Sequence, residues 1–120
     1  MIDSRIVYQL LVGAAMSKTL IDLSAVLSHH YLAPDDPKFN AYRSQVNETL
    51  LGLYEMDLSA GRPPLSALFV LRQTKLPGPA LRDAIEKSRG AKFQSTEEWK
   101  AYWRELITSI YTHYDFPVKE

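Results

Sequence analysis

The sequence predicts a mainly helical domain of the α+β class: about five helices and one small β element around residues 65–71, arranged like a winged helix. Three observations carry that expectation. Apolar residues recur at helical spacing in five separate segments. Leu65–Leu71 is instead a short run, apolar at six of seven positions and bounded by Pro63-Pro64 and by LPGP. The order of helices followed by a β unit with a basic turn completes the pattern. At 120 residues, 46% apolar and 23% charged, the chain reads as one folded domain spanning 1–120 rather than a disordered segment.

In the first predicted helix, over 4–16, Ile6, Val7, Leu10, Leu11 and Ala14 fall on one face, with Asp3 or Ser4 as candidate caps. Ser17 and Lys18 make a break. A second helix follows from Thr19 as expected N-cap, carrying Leu20, Leu23, Val26, Leu27 and Tyr31. The prolines of APDDPKF, residues 33–39, impose a loop. The third helix starts near Asn40, is marked by Tyr42, Val46, Leu50, Leu53 and Tyr54, and ends near Gly61.

Pro63 and Pro64 stop that helix, and Phe69 and Val70 favour a strand in the run that follows. One strand leaves backbone groups unpaired, so a partner is required: a short segment at 17–19 or 91–94, or a second chain joined at the strand edge in a homodimer. Pro79 and Gly90 frame a fourth helix near 79–88. Ser95 and Glu98 have the spacing of a capping box and open the last helix, where Trp99, Trp103, Leu106, Ile110 and Tyr114 form a stripe. The tail DFPVKE reads as loose.

The charges cancel overall but not locally. Residues 1–60 carry −3, residues 61–92 carry +5 and residues 93–120 carry −2. A neutral total argues against coating nucleic acid through charge alone, while the central excess permits one basic face. The chain has no cysteine, which removes disulfides, thiolate metal sites and a cysteine nucleophile, and favours a reducing compartment. No run reaches the ~18 to 20 apolar residues of a membrane span. The apolar N-terminal stretch lacks the positive start of a signal peptide. A cytoplasmic protein without membrane contact is expected.

His29 and His30 are adjacent, so their side chains diverge by about 100° on a helix, not the i, i+3 or i, i+4 spacing that metal ligands use. Together with Asp35 and Asp36 they fit polar residues at a helix C-terminus better than a metal site, and His113 is isolated. No GxSxG elbow, phosphate-binding glycine loop or paired catalytic carboxylates occur. A non-enzymatic protein without metal or cofactor is the expectation.

Two surfaces remain as candidates. In a winged-helix geometry the third helix supplies base-reading residues, here Arg43, Ser44 and Asn47, and the wing supplies Arg72, Gln73 and Lys75. Arg62 is placed to hold a neighbouring phosphate. Against this stand the long turn between the second and third helices and the acidic Glu48 and Asp57. The second surface is aromatic. Trp99, Tyr102, Trp103 and Tyr111 cover too wide an arc for one buried face, so part of it is a candidate protein interface.

The stretch SKTLIDLSAVL, a helix, then RPPLSALFVLRQTKLPG is similar to a small winged-helix-like unit of bacterial and phage proteins. Its signature, PPL-x-x-L-V-V…T-x-LPG, is associated with restriction and phage defence. The order also resembles the DNA-binding half of the alkylguanine-DNA alkyltransferases, but PPLSA stands where their reactive PCHR motif falls, and without cysteine alkyl transfer is excluded. The resemblance implies a small domain that binds duplex DNA or works beside a DNA-processing or defence complex. The rival expectation is a protein-binding inhibitor, such as an immunity protein, antitoxin or phage anti-defence factor, acting through the aromatic last helix.

Overall fold

A computed structural model describes residues 2–30 and 39–114. It contains five helices, α1 (Ser4–Ser17), α2 (Leu23–His29), α3 (Phe39–Ser59), α4 (Pro79–Arg89) and α5 (Thr96–His113), with a 3-10 turn at Leu65–Leu68 between α3 and α4. The expectation of a mainly helical fold with five helices is met. Of the loop expected at 33–39, Phe39 already belongs to α3, while residues 33–38, Tyr31 and the tail DFPVKE lie outside the described residues.

Local chemistry sets most of the helix ends. Asp3 caps α1 by accepting a 2.9 Å hydrogen bond from the Arg5 amide. That bond holds the Asp3 carboxyl below its usual range. The helix closes through Lys18 in the left-handed region, at φ 57°, whose N–H returns to Ala14 and Ala15 carbonyls. Pro79 opens α4, and Gly90, at φ 72°, terminates it. Ser95 Oγ accepts the Glu98 amide at 3.1 Å, and the Glu98 carboxylate accepts the Gln94 amide at 3.3 Å, the two halves of the anticipated box displaced by one residue.

α2 departs from its expected start. Its N-cap is Asp22, whose side chain accepts the Ala25 amide at 3.1 Å, in place of Thr19. Thr19 and Leu20 are exposed outside the helix, and Ile21 takes part in a β-bridge. A carboxylate at the cap satisfies an orphan amide and meets the positive helix end, which outweighs the less than one turn of helix that a start at Thr19 would add.

The strand expected at 65–71 is replaced. Leu65–Leu68 forms a single 3-10 turn, and Phe69 alone forms a parallel bridge, with Ile21. Among the described residues no longer strand exists. The partner lies at Ile21, outside both segments proposed for it. Its two bonds are Ile21 N–H to Leu68 O at 3.0 Å and Val70 N–H to Ile21 O at 2.9 Å.

The segment needs no ladder because groups from elsewhere, two side chains and one backbone carbonyl, meet its polar groups. The Leu65 amide donates to Asp57 Oδ2 at 3.0 Å, Ser66 Oγ donates to the Leu50 carbonyl at 2.6 Å, and Trp103 Nε1 donates to the Ala67 carbonyl at 2.9 Å. With those groups paired, Leu65, Ala67 and Leu68 sit fully buried where α1, α3 and α5 converge. Val7, Leu11, Val46, Leu53, Ile85, Trp99 and Ile110 complete the core around them.

Candidate functional site

Immediately after the bridge the chain makes a closed loop. The Leu71 amide donates to the Leu76 carbonyl at 2.9 Å, and the Lys75 amide donates back to Leu71 O at 2.8 Å. Thr74 Oγ1 accepts the Leu76 amide at 3.3 Å. Lys75 closes the turn at φ 60°, a left-handed conformation that a lysine adopts only under such constraint. The loop therefore holds Arg72, Gln73, Thr74 and Lys75 in fixed, exposed positions at its tip. It is not a hairpin of two strands, so the wing expected from the sequence is reduced to one tight loop.

Beside the loop lies a groove of about 390 Å³. Leu23 and Leu27 of α2 form one wall, and Phe69, Val70 and Leu71 form the floor. Arg43, from the second turn of α3, also lines it, as do Arg72 and Gln73 of the loop, and all three are exposed. Asp22 and Ser24 also line it, and Asp22 is occupied in capping α2. The fold thus brings together three of the seven residues expected to bind DNA. Lys75 sits on the same loop. Arg43, Arg72 and Lys75 form no ion pair among the described residues.

The other expected contacts lie elsewhere. Ser44 and Asn47 are exposed on α3 but do not line the groove. Arg62 is committed to Asp57, at 3.1 Å from Nε to Oδ1. That hydrogen bond raises the guanidinium pKa further above its usual value. Asp57 is 1% exposed, so the repulsion it was expected to exert on phosphate is cancelled by burial and pairing. Of the remaining central cations, Arg82 and Arg89 approach Glu86 and Glu98, each at 3.9 Å, and Arg89 lies 4.2 Å above the Phe93 ring. Much of the local basic excess is therefore internal wiring.

The aromatic arc of α5 is similarly occupied. Trp99 is 2% exposed and packs on Phe93 with ring centroids 5.0 Å apart. Tyr102 also packs on Phe93, with ring centroids 5.2 Å apart. Trp103 is bonded to Ala67, and the Tyr111 hydroxyl donates to the Thr19 carbonyl at 3.0 Å, with burial raising its pKa. The wide arc serves several packing partners at once, which a helical wheel does not reveal.

The histidines serve as helix-end fasteners. His29 Nδ1 contacts the Ala25 carbonyl at 2.9 Å. His30 is placed to bond at both ring nitrogens, to the Val26 carbonyl at 2.8 Å and the Asp3 amide at 2.9 Å. Sequence reasoning missed the groove itself, because its floor is built from the same apolar run that was assigned wholly to the core.

No helix among the described residues is long and apolar enough to cross a membrane. No family model matches the chain, and no curated protein or solved structure matches it.

Proposed function

We propose that this chain is a non-enzymatic binding module that holds the phosphate backbone of DNA between Arg43 and the loop Arg72–Lys75. One observation carries the reading: cations from two separate elements, Arg43 of α3 and Arg72 of the closed loop, line one groove and form no ion pair among the described residues, although Asp22 lines it too. Guanidinium groups suit phosphate because their donor fork matches its oxygens. The fixed loop adds to this, since donors held in place lose less freedom on binding. In this reading α2, α3 and the loop stand for the helix pair and wing of a winged helix, and the module serves a DNA-processing or defence assembly.

The inhibitor reading through α5 draws less support, because the polar tips of Trp103 and Tyr111 already bond to backbone carbonyls of this chain, Ala67 and Thr19.

Fluorescence anisotropy with a labelled 20-base-pair duplex at increasing salt tests the proposal. Three phosphate contacts predict a slope of log K against log salt of about −2.7. Absence of binding at low salt, both to this duplex and to one of its strands alone, overturns it.

A further inference from the structure

The groove is amphipathic in a way that a duplex backbone is not. Its lining includes two exposed cations, Arg43 and Arg72, while Leu23, Leu27, Val70 and Leu71 give it an apolar interior. Leu23 and Leu71 are half-buried, so part of that apolar surface is open to a ligand. A duplex presents phosphates and sugars outward and keeps its base faces stacked, leaving nothing to place on such a floor. An unpaired nucleotide presents both: an anionic phosphate and a flat, weakly polar base.

We infer that the groove takes an unpaired nucleotide, with its phosphate on Arg43 and Arg72 and its base lying on the Leu23–Leu71 surface, so that the protein prefers single-stranded to duplex DNA. This rests on the proposed binding of DNA phosphates and specifies the form of DNA. The groove volume, about 390 Å³, lies within the ordinary range of small-ligand sites, which is the scale of one nucleotide unit rather than of a helix. Gln73, from the loop, carries an amide able to donate to and accept from a base edge. Asp22 is the one acidic residue in the groove lining, and one of its oxygens accepts the Ala25 amide at the start of α2.

The experiment compares three fluorescein-labelled probes at one low salt concentration: a mixed-sequence 12-nucleotide single strand, its duplex, and the same single strand with its central bases replaced by abasic sites. The single strand is expected to bind about tenfold or more tightly than the duplex, and the abasic strand to fall back to the duplex level. Leu71→Ser is expected to lower single-strand affinity by a larger factor than duplex affinity, and an equal loss for the two probes counts against the base contact. Leu23→Ser approaches the same floor from α2 and replaces it if Leu71→Ser does not fold by circular dichroism. Equal affinity for single strand and duplex overturns this inference and leaves the phosphate-binding proposal standing. An abasic strand that binds as tightly as the intact one also overturns it, since the backbone alone then suffices. Failure of all three probes to bind overturns both.

Discussion

The indole Nε1–H of Trp103 donates a 2.9 Å hydrogen bond to the backbone carbonyl of Ala67, and so ties α5 to the 3-10 turn. Ala67 is fully buried, and its carbonyl has no solvent to fall back on. Trp103→Phe keeps much of the ring contact but orphans that carbonyl, an expected loss of about 1–3 kcal/mol. A lowered urea midpoint with an unchanged slope reports it. A midpoint that stays in place shows that the bond contributes nothing.

Tyr114 presents the opposite case. Its hydroxyl is buried with no hydrogen-bond partner among the described residues, and burial, reinforced by the proximity of Tyr8 and Asp57, pushes its pKa up to about 12. The neutral phenol is therefore favoured by folding. Its contribution is fully present below pH 10, the unfolded value, and is lost as pH rises toward 12. Thermal melts are expected to show a steep loss of stability across that window. Tyr114→Phe removes the titrating group and the unsatisfied hydroxyl together. It should flatten the alkaline limb and leave neutral-pH stability equal or higher.

The capping and breaking chemistry of α4 and α5 was readable from residue types, whereas at α2 Asp22 caps in place of the expected Thr19. Pro79, Gly90 and Ser95 mark the ends of α4 and α5 as expected. What misled was the run Leu65–Leu71. An apolar stretch reports burial, not backbone conformation, and the groups that made a strand unnecessary come from far away in sequence: Leu50, Asp57 and Trp103. The groove was half legible. Arg43, Arg72 and Gln73 were candidates by type and place, while Arg62 could not be distinguished from them until Asp57 was seen beside it.

His30 fastens the start of α1 to the end of α2. With Nδ1–H donating to Val26 O, the lone pair on Nε2 is left to accept the Asp3 amide. His30→Ala removes both bonds, for an expected loss of about 1–3 kcal/mol. Amide hydrogen exchange at Asp3 should accelerate by more than at the core amide of Leu11. Unchanged protection at Asp3 contradicts the role.

Lys75 separates charge from backbone. Glycine tolerates the left-handed region without the penalty of about 1–2 kcal/mol that a side chain meets there, so Lys75→Gly should fold at least as stably as the parent. On the DNA proposal it nevertheless makes the salt slope shallower by about one phosphate contact. Arg72→Ala should weaken binding across all sequences. Arg62→Ala should lower the melting temperature and leave the slope alone, because its partner is Asp57. A slope that changes with Arg62 but not with Arg72 reverses the assignment.

The 3-10 turn lies at the middle of the chain, yet it is clasped by α1 and Ile21 from the beginning and by α5 from the end. A chain emerging from the ribosome can lay α1, α2 and α3 around Leu65–Leu68, but the Ala67 carbonyl stays open until Trp103 arrives. Arrested nascent chains ending before residue 99 should consequently remain sensitive to protease throughout. Those extended past residue 111 and clear of the exit tunnel should become resistant in one step, so that synthesis of the last helix acts as the signal for the whole domain to close.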